Sequence, residues 1–175
     1  MDTVAFFRSS FDRLHSTTVE AVKDLSVAQI NFRPDDQHHS IAWVLWHLAR
    51  TEDVVMRALV QKKPELWAEG GWAERLGMPE RGQGTGQTPE QAGEVRIEDP
   101  EAFLSYARAV WRDIDSYLSG LREEDLDAPY PWRRSPTGEE PLGQVIGNHV
   151  MTHLFGHRNE IYWLRSLQGL QGSPY

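Results

Sequence analysis

The residues best suited to chemistry lie in HVMTHLFGHRNEIYWLRSL, residues 149–167, where His149, His153 and His157 recur at every fourth position. On a helix turning about 100° and rising about 1.5 Å per residue, His153 and His157 project from one face about one turn apart. Two imidazoles at that spacing can chelate one divalent ion. Measured from Leu142, the same face carries Val145, Ile146, His149, His153, Glu160, Leu164 and Leu167, so the histidines share the core-facing stripe. Spacing alone leaves two readings open. These are core histidines satisfied by hydrogen bonds, or ligands of an ion that satisfies several buried polar groups at once.

Composition excludes other chemistries. The chain has no cysteine, which removes disulfides, thiolate ligands and a cysteine nucleophile, so any thiol chemistry must draw its sulfur from a small molecule. With 18 basic and 26 acidic side chains the formal charge is −8, which repels phosphate backbones and anionic headgroups. Neither nucleic acid nor a membrane is an expected partner. No stretch approaches the ~20 apolar residues of a membrane span, and no signal-peptide run opens the sequence, so a cytoplasmic location is the default expectation. The 175 residues suit a single domain, 1–175.

Four amphipathic segments must position the histidines. In the first, Val4, Phe7, Phe11, Leu14, Thr18, Val22 and Leu25 fall at helical spacing, with His15 beside the stripe as a hydrogen-bonded core-edge histidine. Pro34 and the acidic pair after it mark a connection; His38 and His39, adjacent and therefore divergent, read as solvent-facing. Ser40 caps a second helix, IAWVLWHLARTEDVVMRALV, apolar around most of its circumference, with Arg50, Asp53 and Arg57 as a polar strip and Leu59 on a buried side. His47 faces inward on it. Glu52, about 140° away from His47, reads as a buried, partnered carboxylate that orients something beside the site or closes a core hydrogen bond.

Residues 62–99 are rich in Gly, Pro and Gln, a long connection suited to a lid or pocket wall, with Trp67 and Trp72 as apolar anchors. Asp99-Pro100-Glu101 starts a third helix. A second Pro-rich connection carries Trp132, Arg133 and Arg134, a cluster able to bind an acidic substrate group or to be simply solvated, before Pro141 opens the fourth helix. With no period-two strand evident, the expected fold class is all-α, a four-helix bundle with a long loop between helices two and three. Met151, Phe155 and Tyr162 on the far side of helix four, and Trp46 on the polar side of helix two, point to a homodimer through these helices.

SIAWVLWHLARTED followed about a hundred residues later by NHVMTHLFGHRNEI resembles the DinB-like superfamily, also described as metal-dependent hydrolases of the YfiT type. The resemblance covers essentially the whole chain. It implies a four-helix bundle and a divalent ion, zinc or nickel foremost and iron third, on three histidines: His47 from the H-L element of helix two, and His153 and His157 from the H-x-x-x-H element of helix four. His149 then stands outside the triad. Family members often continue the last histidine as H-R-G-Q; here Arg158 matches, but Asn159 and Glu160 replace Gly and Gln. Glu160 is the candidate catalytic residue, either a base or a group that orients a ligand histidine.

Three neutral imidazoles leave a coordination position open for water or substrate, as catalytic ions require. The resulting expectation is a metal-dependent enzyme acting on a small molecule, of the thiol-dependent S-transferase or hydrolase type, with a low-molecular-weight thiol as possible cosubstrate. The alternative is a non-catalytic, stress-related dimer that binds metal or ligand. A pocket walled by Trp43, Thr51, Trp67 or Trp72 at an open coordination position favours the enzyme.

Overall fold

The computed structural model describes residues 2–173. Four long helices form the bundle: α1 (Thr3–Val22), α2 (Ile41–Glu52, continuing as Asp53–Val60), α3 (Pro100–Ser119) and α4 (Leu142–Gln144, continuing through Val145–Met151 into Thr152–Leu167). Their starts follow local chemistry. The side chains of Asp2, Ser40 and Asp99 accept from the backbone N–H groups of Ala5, Trp43 and Ala102 at 2.7, 3.1 and 2.9 Å, and Pro100 sits where a helix needs no N–H. α1 packs on α3 and α4, and α2 packs on α4 and α3. The expected stripe of α1 is the buried one from Phe7 to Val22; each such large apolar side chain contributes about 1.5–3 kcal/mol when fully buried.

Two stretches depart from regular winding. Over Asp53–Val60 in α2 and Val145–Met151 in α4 the hydrogen bonds widen to the i→i+5 pattern. Each residue there turns through a smaller angle, so side chains beyond the stretch lag behind a regular helical wheel. This explains two corrections on α4. Leu167, expected in the core, is 47% exposed, whereas Tyr162, expected on the outer face, is buried. Leu59 of α2, expected to be buried, is exposed for the same reason.

A further correction concerns the polar strip of α2. Every residue from Ile41 to Asp53 is buried, including Trp46, Arg50 and Asp53. The 62–99 segment covers them. Asp53 accepts from the backbone N–H groups of Leu66 and Trp67 at 2.9 and 2.8 Å and from the Tyr106 hydroxyl at 3.0 Å. Arg50 donates to the Gly82 carbonyl at 3.1 Å and to Glu65 at 2.6 Å. The strip is therefore an anchor for the loop. Within that loop the chain forms the short helices Leu66–Glu69, Trp72–Leu76 and Pro89–Gly93.

One element was not anticipated. Pro129–Pro131 (β1) and Glu139–Pro141 (β2) pair antiparallel, with Tyr130 opposite Glu140. Strands of three residues are too short to show alternation in a sequence. The hairpin lies directly before α4, whose first residue, Leu142, donates its backbone N–H to the Ala128 carbonyl at 2.9 Å.

Candidate metal centre

α2 and α4 bring His47, His153 and His157 together. Their ligand atoms all lie within 4.8 Å of one another, and among the described residues no other group of three histidines or carboxylates is so arranged. The Nε2 atoms of His47 and His153 are 2.9 Å apart. His47 is buried, and His153 and His157 are half-buried.

The outer nitrogens decide what the inner ones can do. Nδ1 of His47 hydrogen-bonds the backbone carbonyl of Gln83, which can only accept, so Nδ1 carries the proton and Nε2 offers a lone pair. Nδ1 of His157 donates to Glu160 Oε2 at 2.7 Å, which leaves its Nε2 in the same condition. Burial, with the neighbouring imidazoles adding to it, lowers the pKa of His153 to about 4. Burial likewise lowers His47 to about 4, against the opposing effect of its hydrogen bond to the Gln83 carbonyl. Both are therefore neutral at neutral pH, as ligation requires. A donor set of three imidazole nitrogens with two tautomers fixed this way fits a divalent transition-metal ion.

Glu160 backs the cluster. Burial opposes its ionisation, but hydrogen bonding to His157 and His39 outweighs it and brings the pKa to about 2. Its Oε1 lies 3.4 Å from Nδ1 of His39. His39, expected to face solvent, instead stacks on Trp43 at 3.6 Å, and Trp43 stacks in turn on His47 at 4.6 Å. Nothing in the spacing of a loop histidine announces that contact.

The Gln83 carbonyl reaches His47 because of Gly84. Its φ is +95°, and a Cβ there would sit 2.7 Å from the Trp43 ring and 3.2 Å from His47 Nδ1. A glycine-rich loop is the usual signal of such close backbone approach, and GQGTGQ carries it in the sequence.

A cavity of about 780 Å³ opens beside His47 and His153. Thr51 borders it, as expected. Trp43, Trp67 and Trp72 do not; Trp43 packs on His47 at 4.6 Å, and the other two pack on Tyr106 of α3, with ring centroids at 4.8 and 5.7 Å. The wall comes from the other connection, through Tyr130, Trp132, Arg133 and Arg134, and from Gln83 and Thr85. Which loop covers which end of a bundle is a long-range outcome that local patterns do not encode. His149 also borders the cavity, stacked on Trp132 at 4.8 Å and bonded through Nε2 to Glu140 at 2.8 Å, outside the cluster of three.

Glu52 belongs elsewhere. It accepts from His15 Nε2 at 2.7 Å and from Trp111 Nε1 at 3.0 Å, closing a core hydrogen-bond network. His38 bonds Asp35 at 2.6 Å on the surface.

The model of the DinB superfamily matches residues 10–161, and the chain belongs to that superfamily. Among solved structures it is similar to one described as the conserved protein of locus from Enterococcus faecalis, at a TM-score of 0.83 and 24% identity, covering 95% of this chain and 97% of the other. That likeness is one of fold. No curated protein matches the chain. No helix among the described residues is long and apolar enough to cross a membrane.

Proposed function

We propose that this chain is a metal-dependent enzyme of the thiol-dependent S-transferase or hydrolase type, acting on a small molecule, with one divalent ion on His47, His153 and His157. The observation that carries this reading is the convergence of three imidazoles, two of which, His47 and His153, border an open cavity. An ion bound there supplies Lewis-acid chemistry, lowering the pKa of a water or thiol. The chain's own contribution is positional. Gln83 and Glu160 hold two of the imidazoles in the ligating tautomer, Trp43 clamps His47 between itself and the cluster, and the cavity admits the substrate.

Glu160 is in this reading a positioning residue, because its two oxygens face His157 and His39. The protein is proposed to be a homodimer, supported by Phe155, Trp163 and Leu167 of α4, each exposed by 46–48%. Trp46 and Tyr162 are buried and take no part in that face. A monomeric mass by light scattering at micromolar concentration would remove the dimer.

Elemental analysis of the purified chain tests the metal, with zinc or nickel expected and iron third, at about one ion per chain. A screen of thiols with small electrophiles, and of hydrolysable esters and amides, then tests turnover on the metal-loaded protein. Metal absent after reconstitution sinks the proposal; metal without turnover turns it into a non-catalytic binding dimer.

A further inference from the structure

Beside the imidazoles the cavity presents polar groups that metal ligation leaves unused. We infer that this cavity selects a small molecule bearing an anionic group, held at a cationic rim of Lys62, Arg133 and Arg134. The inference rests on the proposed function only for where the reacting end of that molecule lies. Its charge preference does not depend on the ion.

The wall is cationic in an acidic chain. The chain carries a formal charge of −8, yet the residues bordering the cavity include Lys62, Arg133 and Arg134 and no aspartate or glutamate. Glu140, which bonds His149, is not among them. Val54, Val55 and Leu59 give the cavity an apolar side, so the ligand is amphipathic, with an organic body and an anionic group such as a carboxylate or phosphate.

Lys62 adds backbone evidence. Its φ is 58°, and it is the one non-glycine residue in the left-handed region among those described. Directly past the end of a helix that conformation favours glycine, and a lysine held there is a departure worth a functional explanation. Its ammonium lies 3.1 Å from the Tyr130 hydroxyl, at the cavity wall.

The test is calorimetric titration of the full chain, metal-free and metal-loaded, with phenyl phosphate, phenylacetate, benzyl alcohol and benzylamine. The two anions are expected to bind at least about tenfold tighter than benzyl alcohol in both forms, with benzylamine weakest. Lys62→Gly, which relieves the backbone and therefore folds, weakens the anions by about tenfold. The exposed pair Arg133→Glu/Arg134→Glu shifts the preference toward benzylamine.

Equal binding of benzyl alcohol and the anions overturns the inference, as does a preference seen only with metal bound or one that survives the charge reversal. The two proposals fail separately. A chain that takes up no metal but keeps its anion preference loses the proposed function alone.

Discussion

Two groups of side chains built around histidines differ in what their nitrogens face. His15, Glu52 and Trp111 form a closed set: the imidazole and the indole each reach one oxygen of the carboxylate, at 2.7 and 3.0 Å, and the two rings stack at 4.6 Å. Glu52 is 1% exposed and has both oxygens engaged. In the set of His47, His153 and His157 the acceptors, the Gln83 carbonyl and Glu160, lie on the outside, and lone pairs are directed inward. Carboxylate at the centre makes a structural network; imidazoles at the centre with oxygens behind them make a binding site. A groove of about 850 Å³ between α1 and α3 borders His15, so an adjacent opening alone does not distinguish the sets.

The largest effect that would break this contrast is on metal content. His47→Ala or His153→Ala is expected to abolish stoichiometric metal, lowering affinity by more than about a thousandfold, read by elemental analysis after dialysis. His15→Ala should leave the metal stoichiometry unchanged while destabilising the fold by about 2–4 kcal/mol in urea denaturation, because it strands a buried carboxylate. If His15→Ala lost metal, the two sets would be one system.

Glu160→Ala should keep one ion per chain but weaken it about 10–100-fold in competition with a chelator, since the backing oxygen of His157 disappears. Smallest is Trp111→Phe, which keeps the stacking ring and removes one hydrogen bond to Glu52. It should cost about 1–2 kcal/mol of stability and nothing in metal affinity.

Much of this was legible in the sequence. α1 and α3 were set out by their apolar spacing, and α3 also by Asp99 and Pro100 at its start. The residues of the three-histidine group came from the four-residue spacing on α4 together with a family resemblance. His15 read as a hydrogen-bonded core-edge residue, and it is one. The failures share a cause: a helical wheel knows one helix with uniform winding. Arg50 and Asp53 are polar yet buried because a loop 13 to 32 residues further along the chain donates to them and accepts from them. Tyr162 and Leu167 exchange faces because the turn before them is wound more widely. His39, and the roles of Trp67 and Trp72, depended on which loop crosses which end of the bundle, a question of topology rather than of pattern.

The wide turn at Val145–Met151 makes the centre depend on chain length as well as on residue type. It accommodates its residues at less than the regular rotation each, immediately before His153. Removing one residue there, with every histidine retained, would turn His153 and His157 by up to about 100° relative to the start of α4 and aim them away from His47. In this turn a one-residue deletion is therefore equivalent to removing two imidazoles from the cluster, whereas a deletion in the exposed part of residues 133–138 would shorten a loop and leave the three imidazoles facing one another.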